Sequence, residues 1–197
     1  MNEISKVIVF VVIITLLAIL LLIILERNEL FLEYKTSKNN NKKYGIQEVF
    51  KDNDKAVEML AKIHDHMAKF VRDLEKKLPE DDRVKRLVKG FNRVEIEEAP
   101  NEDNSTSYTI NKGDLMALCL RHKKEEHPFH DFNTLLFVTI HEMAHIASVS
   151  EGHGEEFIKN FKFLLTEAKA LGYYDPVDYR NNPITYCGLA VTNNPYF

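Results

Sequence analysis

Hydrophobic positions divide the chain into three regimes. Val7 to Leu25 (VIVFVVIITLLAILLLIIL) is apolar throughout, with Thr15 as its only polar residue. With Ile4 included, about 22 residues of helix reach roughly 33 Å, enough for a bilayer core. A core helix usually keeps one polar stripe and a secretory signal has a shorter apolar run before a small-residue cleavage site; neither pattern is present. The first expectation is therefore an N-terminal transmembrane anchor over residues 1–25. Residues 26–45 turn polar: Glu26 to Lys35 reads as a helical extension, and TSKNNNKK, Thr36 to Lys43, as a flexible tether.

From residue 46 onward the apolar positions become periodic. Val57, Leu60, Ile63 or His64, Met67, Val71 and Leu74 keep the 3/4 spacing of a buried helical stripe, predicting a helix from Asp52 or Asn53 to about Leu78, stopped by Pro79. His64 and His66 on it point about 200° apart and cannot share a metal. A short helix follows from Glu80 to Lys89, with Gly90 as its stop and Arg83, Lys85, Arg86 and Lys89 on a basic, solvated face. Arg93 to Glu97, Ser107 to Ile110 and Asp114 to Arg121 read as strands, the third being the candidate neighbour of a catalytic helix. His122 to His130 is a histidine-rich loop, where a second metal site is the weaker reading. Asp131 is a candidate N-cap for a helix to Ala147 or Val149. Another helix runs from Gly154 to Gly172, with Phe157, Ile158, Phe161, Leu164, Leu165 and Ala168 at helical spacing. The tail from Tyr173 has no helical period and a strand-like run at Thr185 to Val191. Helices mixed with short strands predict an α+β domain over residues 46–197.

Charge and cysteine content narrow the partners. The net charge of −4 over 197 residues, with five acids and no base from Glu95 to Asn104, makes nucleic acid an unexpected partner. Cys119 and Cys187 are too few for a disulfide framework and lack metal-ligand spacing; a reducing compartment is mildly favoured, with one disulfide still open. Lys6 stands alone before the apolar block, while Arg27, Lys35, Lys38, Lys42 and Lys43 follow it. The positive-inside bias thus predicts a single-pass membrane protein with a cytoplasmic C-terminal domain, and a lipid bilayer as partner through residues 4–25. The sequon at Asn104 points the other way and carries less weight.

The chemistry lies in HEMAHIASVSEGHGEEF, residues 141 to 157. His141 and His145, four apart on a helix, project from one face and can reach one metal ion. Glu142 stands beside that face, positioned as general base. Leu136, Ile140, Met143 and Ala147 occupy the opposite arc, so the helix is buried, and bare imidazoles and a carboxylate there call for a partner. His153, flanked by Gly152 and Gly154, completes a three-histidine set with an open fourth position. That is a catalytic pattern for Zn²⁺, since structural zinc sites are usually closed by cysteines.

HEMAH followed by HGEEF resembles the WLM and SprT-like zinc metallopeptidases, whose pattern is HExxH, a variable gap, then HGxxF. The resemblance covers about Leu115 to Leu171. It implies a zincin-type fold with a small, mostly antiparallel sheet, Zn²⁺ on His141, His145 and His153, Glu142 as general base, and Phe157 packed behind the third ligand. It also implies a protein or peptide substrate and kinship with members encoded by large DNA viruses, for which the membrane would be that of the host or virion. Other members are proteases acting on DNA-crosslinked proteins, and the chain departs from these in lacking a basic or zinc-ribbon extension.

The leading expectation is a membrane-anchored zinc metalloprotease that hydrolyses peptide bonds with a zinc-activated water. A non-enzymatic anchored structural or adaptor protein with a metal-stabilised domain stays open beside it. Tyr186 is a candidate oxyanion donor, with packing as the plainer role.

Overall fold

The computed structural model describes residues 3–28, 32–100, 105–124 and 126–197; the Asn104 sequon lies outside them. The chain divides into two units, Met1–Leu32 and Glu33–Phe197. The first holds one helix, α1 (Glu3–Asn28). Its described apolar side chains from Ile8 to Leu20 are exposed, and Thr15 Oγ1 donates to Val11 O at 2.9 Å. Among the described residues no helix is long and apolar enough to cross a membrane. The transmembrane anchor, the bilayer partner over residues 4–25 and the single-pass localisation with its cytoplasmic domain are corrected accordingly.

The second unit is a mixed α+β fold. Its elements are β1 (Leu32–Thr36), β2 (Lys43–Gln47), α2 (Asn53–Lys77), α3 (Asp82–Phe91), β3 (Glu95–Glu98), β4 (Tyr108–Ile110), β5 (Leu115–Leu118), α4 (Phe132–Ala147), α5 (Glu155–Ala170), β6 (Ile184–Tyr186) and β7 (Leu189–Val191). The end of the expected helical extension, Glu26 to Lys35, is thus strand β1, and the expected tether, Thr36 to Lys43, is the tight connection from β1 to β2. Ser37 N–H donates to Lys42 O, and Asn41 supplies the positive φ of 56° that asparagine tolerates. Asn39 binds the Glu58 carboxylate, while Asn40 reaches Tyr44 Oη and Asp65. Polar composition suggested flexibility; the side chains instead find partners on α2.

Five strands form one sheet in the order β1-β2-β3-β5-β4. β2 and β3 pair in parallel, as do β3 and β5, while β4 is antiparallel to β5. The expected mostly antiparallel sheet is corrected to a mixed one. A parallel pair needs a long crossover, and the two helices α2 and α3 between β2 and β3 supply it. The sheet's edges are β1 and β4, and the 114–121 run is interior as β5.

Helix α2 buries the predicted stripe, with Leu60, Ile63, Met67, Phe70 and Leu74 fully covered. His64 joins it, its Nδ1 at 2.9 Å from Tyr44 Oη; burial, then Lys42, pushes its pKa down to about 4. His66 bonds Tyr173 O at 2.8 Å. On α3 the basic face is engaged in the fold: Arg83 pairs with Asp81 and stacks on Phe163, Lys85 pairs with Glu80, and Arg86 Nε donates to Ala147 O at 2.7 Å. Gly90 lies inside α3 and not beyond it. A Cβ there would stand 2.3 Å from Ile146 Cγ2 and 2.6 Å from Lys112 O, so the missing side chain lets α3 close on α4.

Two interior contacts have no signature in the linear pattern. Glu98, read as part of an acidic run, is buried and accepts from Arg121 Nε at 2.7 Å. Arg121 also pairs with Asp52 and lies between the Phe50 and Phe129 rings. Burial raises the Glu98 pKa, and the guanidinium opposes it. The second contact is a disulfide between Cys119, just past β5, and Cys187 in the tail. The preference for a reducing compartment finds no support here. Cys187 and Gly188 form the two-residue turn of the β6–β7 hairpin, with φ of 50° and 82°, values that suit a type I′ turn. The bridge closes a separation of 68 residues, for which chain entropy predicts about 4 kcal/mol of stabilisation. Replacing both cysteines by serine is expected to lower the urea midpoint accordingly, and added reductant should then shift only the wild type. An unchanged midpoint would mean the tail is held without the bridge.

Candidate metal centre

Helix α4 begins at Asp131, whose side chain accepts from Thr134 N–H at 2.9 Å. Its apolar residues are buried on nearly every side, with Ile140, Met143, Ala144 and Ala147 inaccessible. His141 and His145 remain half-exposed and Glu142 is buried. After Ser148 the chain turns and brings back His153.

The structure brings the three predicted ligands together. His153 Nε2 is 3.0 Å from His141 Nε2 and 3.2 Å from His145 Nε2. Nitrogens at 2.0–2.1 Å from a tetrahedral zinc stand roughly 3.4 Å apart, so the donor atoms are spaced to share one such ion. Among the described residues this is the one group of three side chains able to do so. Burial, then the neighbouring histidines, pushes His141 down to about 3; burial, then His153 and Lys112, pushes His145 down to about 4. Both rings are therefore held neutral, the form that ligates metal. The Phe157 ring packs against all three, with centroids 4.3 to 4.8 Å away. The 122–130 loop forms no comparable set: His122 stacks on His130 at 3.7 Å, and His130 stacks on Tyr186.

Two holding contacts went unnoticed in the sequence. Glu156, in the first turn of α5, accepts from Val149 N–H and Ser150 N–H, each at 2.8 Å. The bonds from Ser150 and Val149 hold its pKa down to about 2. This carboxylate pins the turn that presents His153. Asn160 adds a bond to Ser148 Oγ at 2.9 Å. The signal was available in HGEEF, where the second glutamate sits one helical position before Phe157. The other contact is Thr109 Oγ1 of β4, which donates to Glu142 Oε2 at 2.9 Å. A residue 33 positions away carries no local signal.

Glu142 is pushed up to about 7 by burial, with the Thr109 bond opposing, against an ordinary 4.5. In the metal-free protein the folded chain then binds this proton more tightly than the unfolded chain. The stabilisation is complete below about 4.5 and is lost as pH rises through about 7. Metal-free Glu142→Gln is therefore expected to gain on the wild type by up to about 3 kcal/mol between pH 5 and pH 8. Thermal unfolding at both pH values checks this; a constant difference would mean the carboxyl is not perturbed. A bound dication would pull the pKa back down.

The histidines and Glu142 lie in a cleft of about 680 Å³, shared with β4, α5 and the β6–β7 hairpin. Tyr186 lines it, but its hydroxyl lies 2.6 Å from Ser107 Oγ and donates to Cys119 O at 2.9 Å. Burial raises its pKa. These bonds favour the packing role over oxyanion donation.

Residues 39–194 match the family model described as WLM domain. Among curated proteins, "Uncharacterized protein R325" of Acanthamoeba polyphaga mimivirus is 39% identical over 111 residues, covering 56% of this chain and 52% of that one. "Uncharacterized protein 136R" of Invertebrate iridescent virus 6 is 40% identical over 85 residues, 43% of this chain and 47% of that one. The chain spans about half the length of the curated relatives it matches. Of solved structures, "crystal structure of Wss1 from Saccharomyces cerevisiae" matches 64% of this chain and 87% of its own, at 17% identity and a TM-score of 0.48.

Proposed function

The chain belongs to the WLM-domain family, and from that premise we propose that it is a zinc-dependent metallopeptidase with a zincin-like catalytic domain. The observation that carries this reading is the convergence of His141, His145 and His153 Nε2 atoms beside a buried carboxylate, Glu142, that is not one of the clustered donors. A site built only to hold metal has no use for Glu142, whose burial is costly without a task.

When bound, zinc supplies Lewis acidity, which acidifies water and polarises a carbonyl. The three imidazoles would hold it, with the Phe157 ring packed against all of them. Thr109 engages Glu142 Oε2, leaving Oε1 to take a proton from the attacking water. Its raised affinity for a proton suits a base that must later give that proton to the leaving amine nitrogen. Water and peptide are thereby converted to a carboxylate and an amine. β4, at the sheet edge, borders the cleft, so an extended peptide can add to it as a further strand.

The full chain, loaded with one equivalent of zinc, is expected to cleave denatured casein, to stop on removal of zinc by a chelator, and to resume when zinc is restored. Zinc binding without cleavage would favour a metal-stabilised, non-enzymatic domain.

A further inference from the structure

The β6–β7 hairpin walls the cleft without belonging to the five-stranded sheet. It forms a two-stranded sheet of its own, and Leu189, Ala190 and Val191 line the cleft together with Ser107 and Thr109. Of Ile184 to Val191, only Tyr186 and Cys187 are buried. Both are fastened where β5 ends. Cys187 is bridged to Cys119, and a ring of hydrogen bonds lies beside the bridge. Cys119 N–H donates to Ser107 Oγ at 2.9 Å, Ser107 Oγ lies 2.6 Å from Tyr186 Oη, and Tyr186 Oη donates to Cys119 O at 2.9 Å. The next buried residue is Asn194, whose Nδ2 donates to Tyr174 Oη and Val177 O. The wall from Gly188 to Asn193 is thus suspended between the bridge and Asn194.

Without the bridge, the turn keeps the Tyr186 hydroxyl and ring contacts and a 3.4 Å bond from Cys187 N–H to His130 Nε2. The three imidazoles, Glu142 and its partner Thr109 all lie outside the hairpin. We propose that the Cys119–Cys187 bridge is a redox latch on the substrate cleft. Oxidised, it holds the hairpin wall in place to receive a peptide; reduced, it lets the wall move away while the metal centre stays assembled. The proposal rests on the peptidase reading and deepens it by naming a regulation of that site. Its reductant is a dithiol. One thiolate bonds to a cysteine sulfur, and the S–S bond breaks with its electron pair leaving on the other sulfur, which takes a proton. The second thiol then displaces the first cysteine as a thiol, and the reductant departs as a cyclic disulfide. Cys119 is 4% and Cys187 2% exposed, so the thiolate reaches them only when the hairpin opens. A peptide seated against the hairpin keeps it closed and slows the exchange.

Zinc-loaded full chain is assayed on denatured casein before and after reduction by dithiothreitol, beside Cys119→Ser/Cys187→Ser in the same two buffers. Reduction should raise KM about fivefold or more and leave kcat within about twofold. The double variant should match the reduced wild type and ignore dithiothreitol, which separates the latch from any loss of zinc to the reductant. Should that variant fail to fold, the reduced wild type and its zinc content carry the comparison. Hydrogen exchange of the hairpin amides should quicken about tenfold or more on reduction, while α4 keeps its rates. In zinc-loaded Glu142→Gln, saturating casein should slow the appearance of Cys119 and Cys187 thiols about fivefold or more, read by alkylation and mass spectrometry. An unchanged KM, or a fall in kcat with loss of zinc, overturns the latch and leaves the peptidase reading standing. Absence of cleavage in every form overturns the peptidase reading. Hairpin exchange and thiol release then decide the latch, which stands if both respond and falls if either does not.

Discussion

Glu142→Gln is expected to retain one zinc per chain and to lower kcat by about a hundredfold or more, the range removed with a general base. The amide matches the carboxylate in shape, and its oxygen can still accept from Thr109 Oγ1, so the wall of the cleft stays in place. The three imidazoles are untouched, so metal affinity should change little. What disappears is the capacity of Oε1 to take a proton from water and deliver it to the amine. Elemental analysis of the purified variant, together with initial cleavage rates, checks both halves. Near-wild-type turnover would sink the mechanism, because no other buried carboxylate faces these histidines in the described structure.

His153→Ala should have the largest effect on the metal itself. Loss of an outer-shell partner costs roughly 10–100-fold in affinity, and removal of a ligand should exceed that. His153 is exposed, and its turn is pinned by Glu156 through Val149 and Ser150. The metal-free variant is therefore expected to melt close to the wild type. The stabilisation on adding zinc should shrink by up to about 2.7 kcal/mol for each hundredfold loss of affinity. Thermal scans with and without zinc, paired with a competitive chelator titration, measure the two effects separately. Unchanged zinc affinity would exclude His153 as third ligand.

The centre was legible because its parts are local. His141 and His145 share a helix face by periodicity alone, and His153 returns within one short turn closed by two glycines. The stripe of α2 was equally legible, since a 3/4 repeat over 25 residues leaves little choice of buried face. The apolar block at the N-terminus forms the helix expected of it. Composition there suggested a membrane span, whereas among the described residues no helix is long and apolar enough to cross a membrane. Polarity misled in the opposite sense at Thr36 to Lys43, where asparagines that looked solvated are bound by α2.

By itself the sequence determined the candidate set: two imidazoles and a carboxylate on a buried helix, and a third imidazole returned by the turn that follows. Only the tertiary structure decided what holds that chemistry in place. Thr109 on Glu142, Glu98 with Arg121, Cys119 with Cys187 and Tyr186 with Ser107 join residues 23 to 79 positions apart. The same holds for strand order, where β4 passes outside β5 to become an edge beside α4. Helical spacing is written into neighbouring residues, whereas pairing between distant segments depends on which faces the whole chain must bury together.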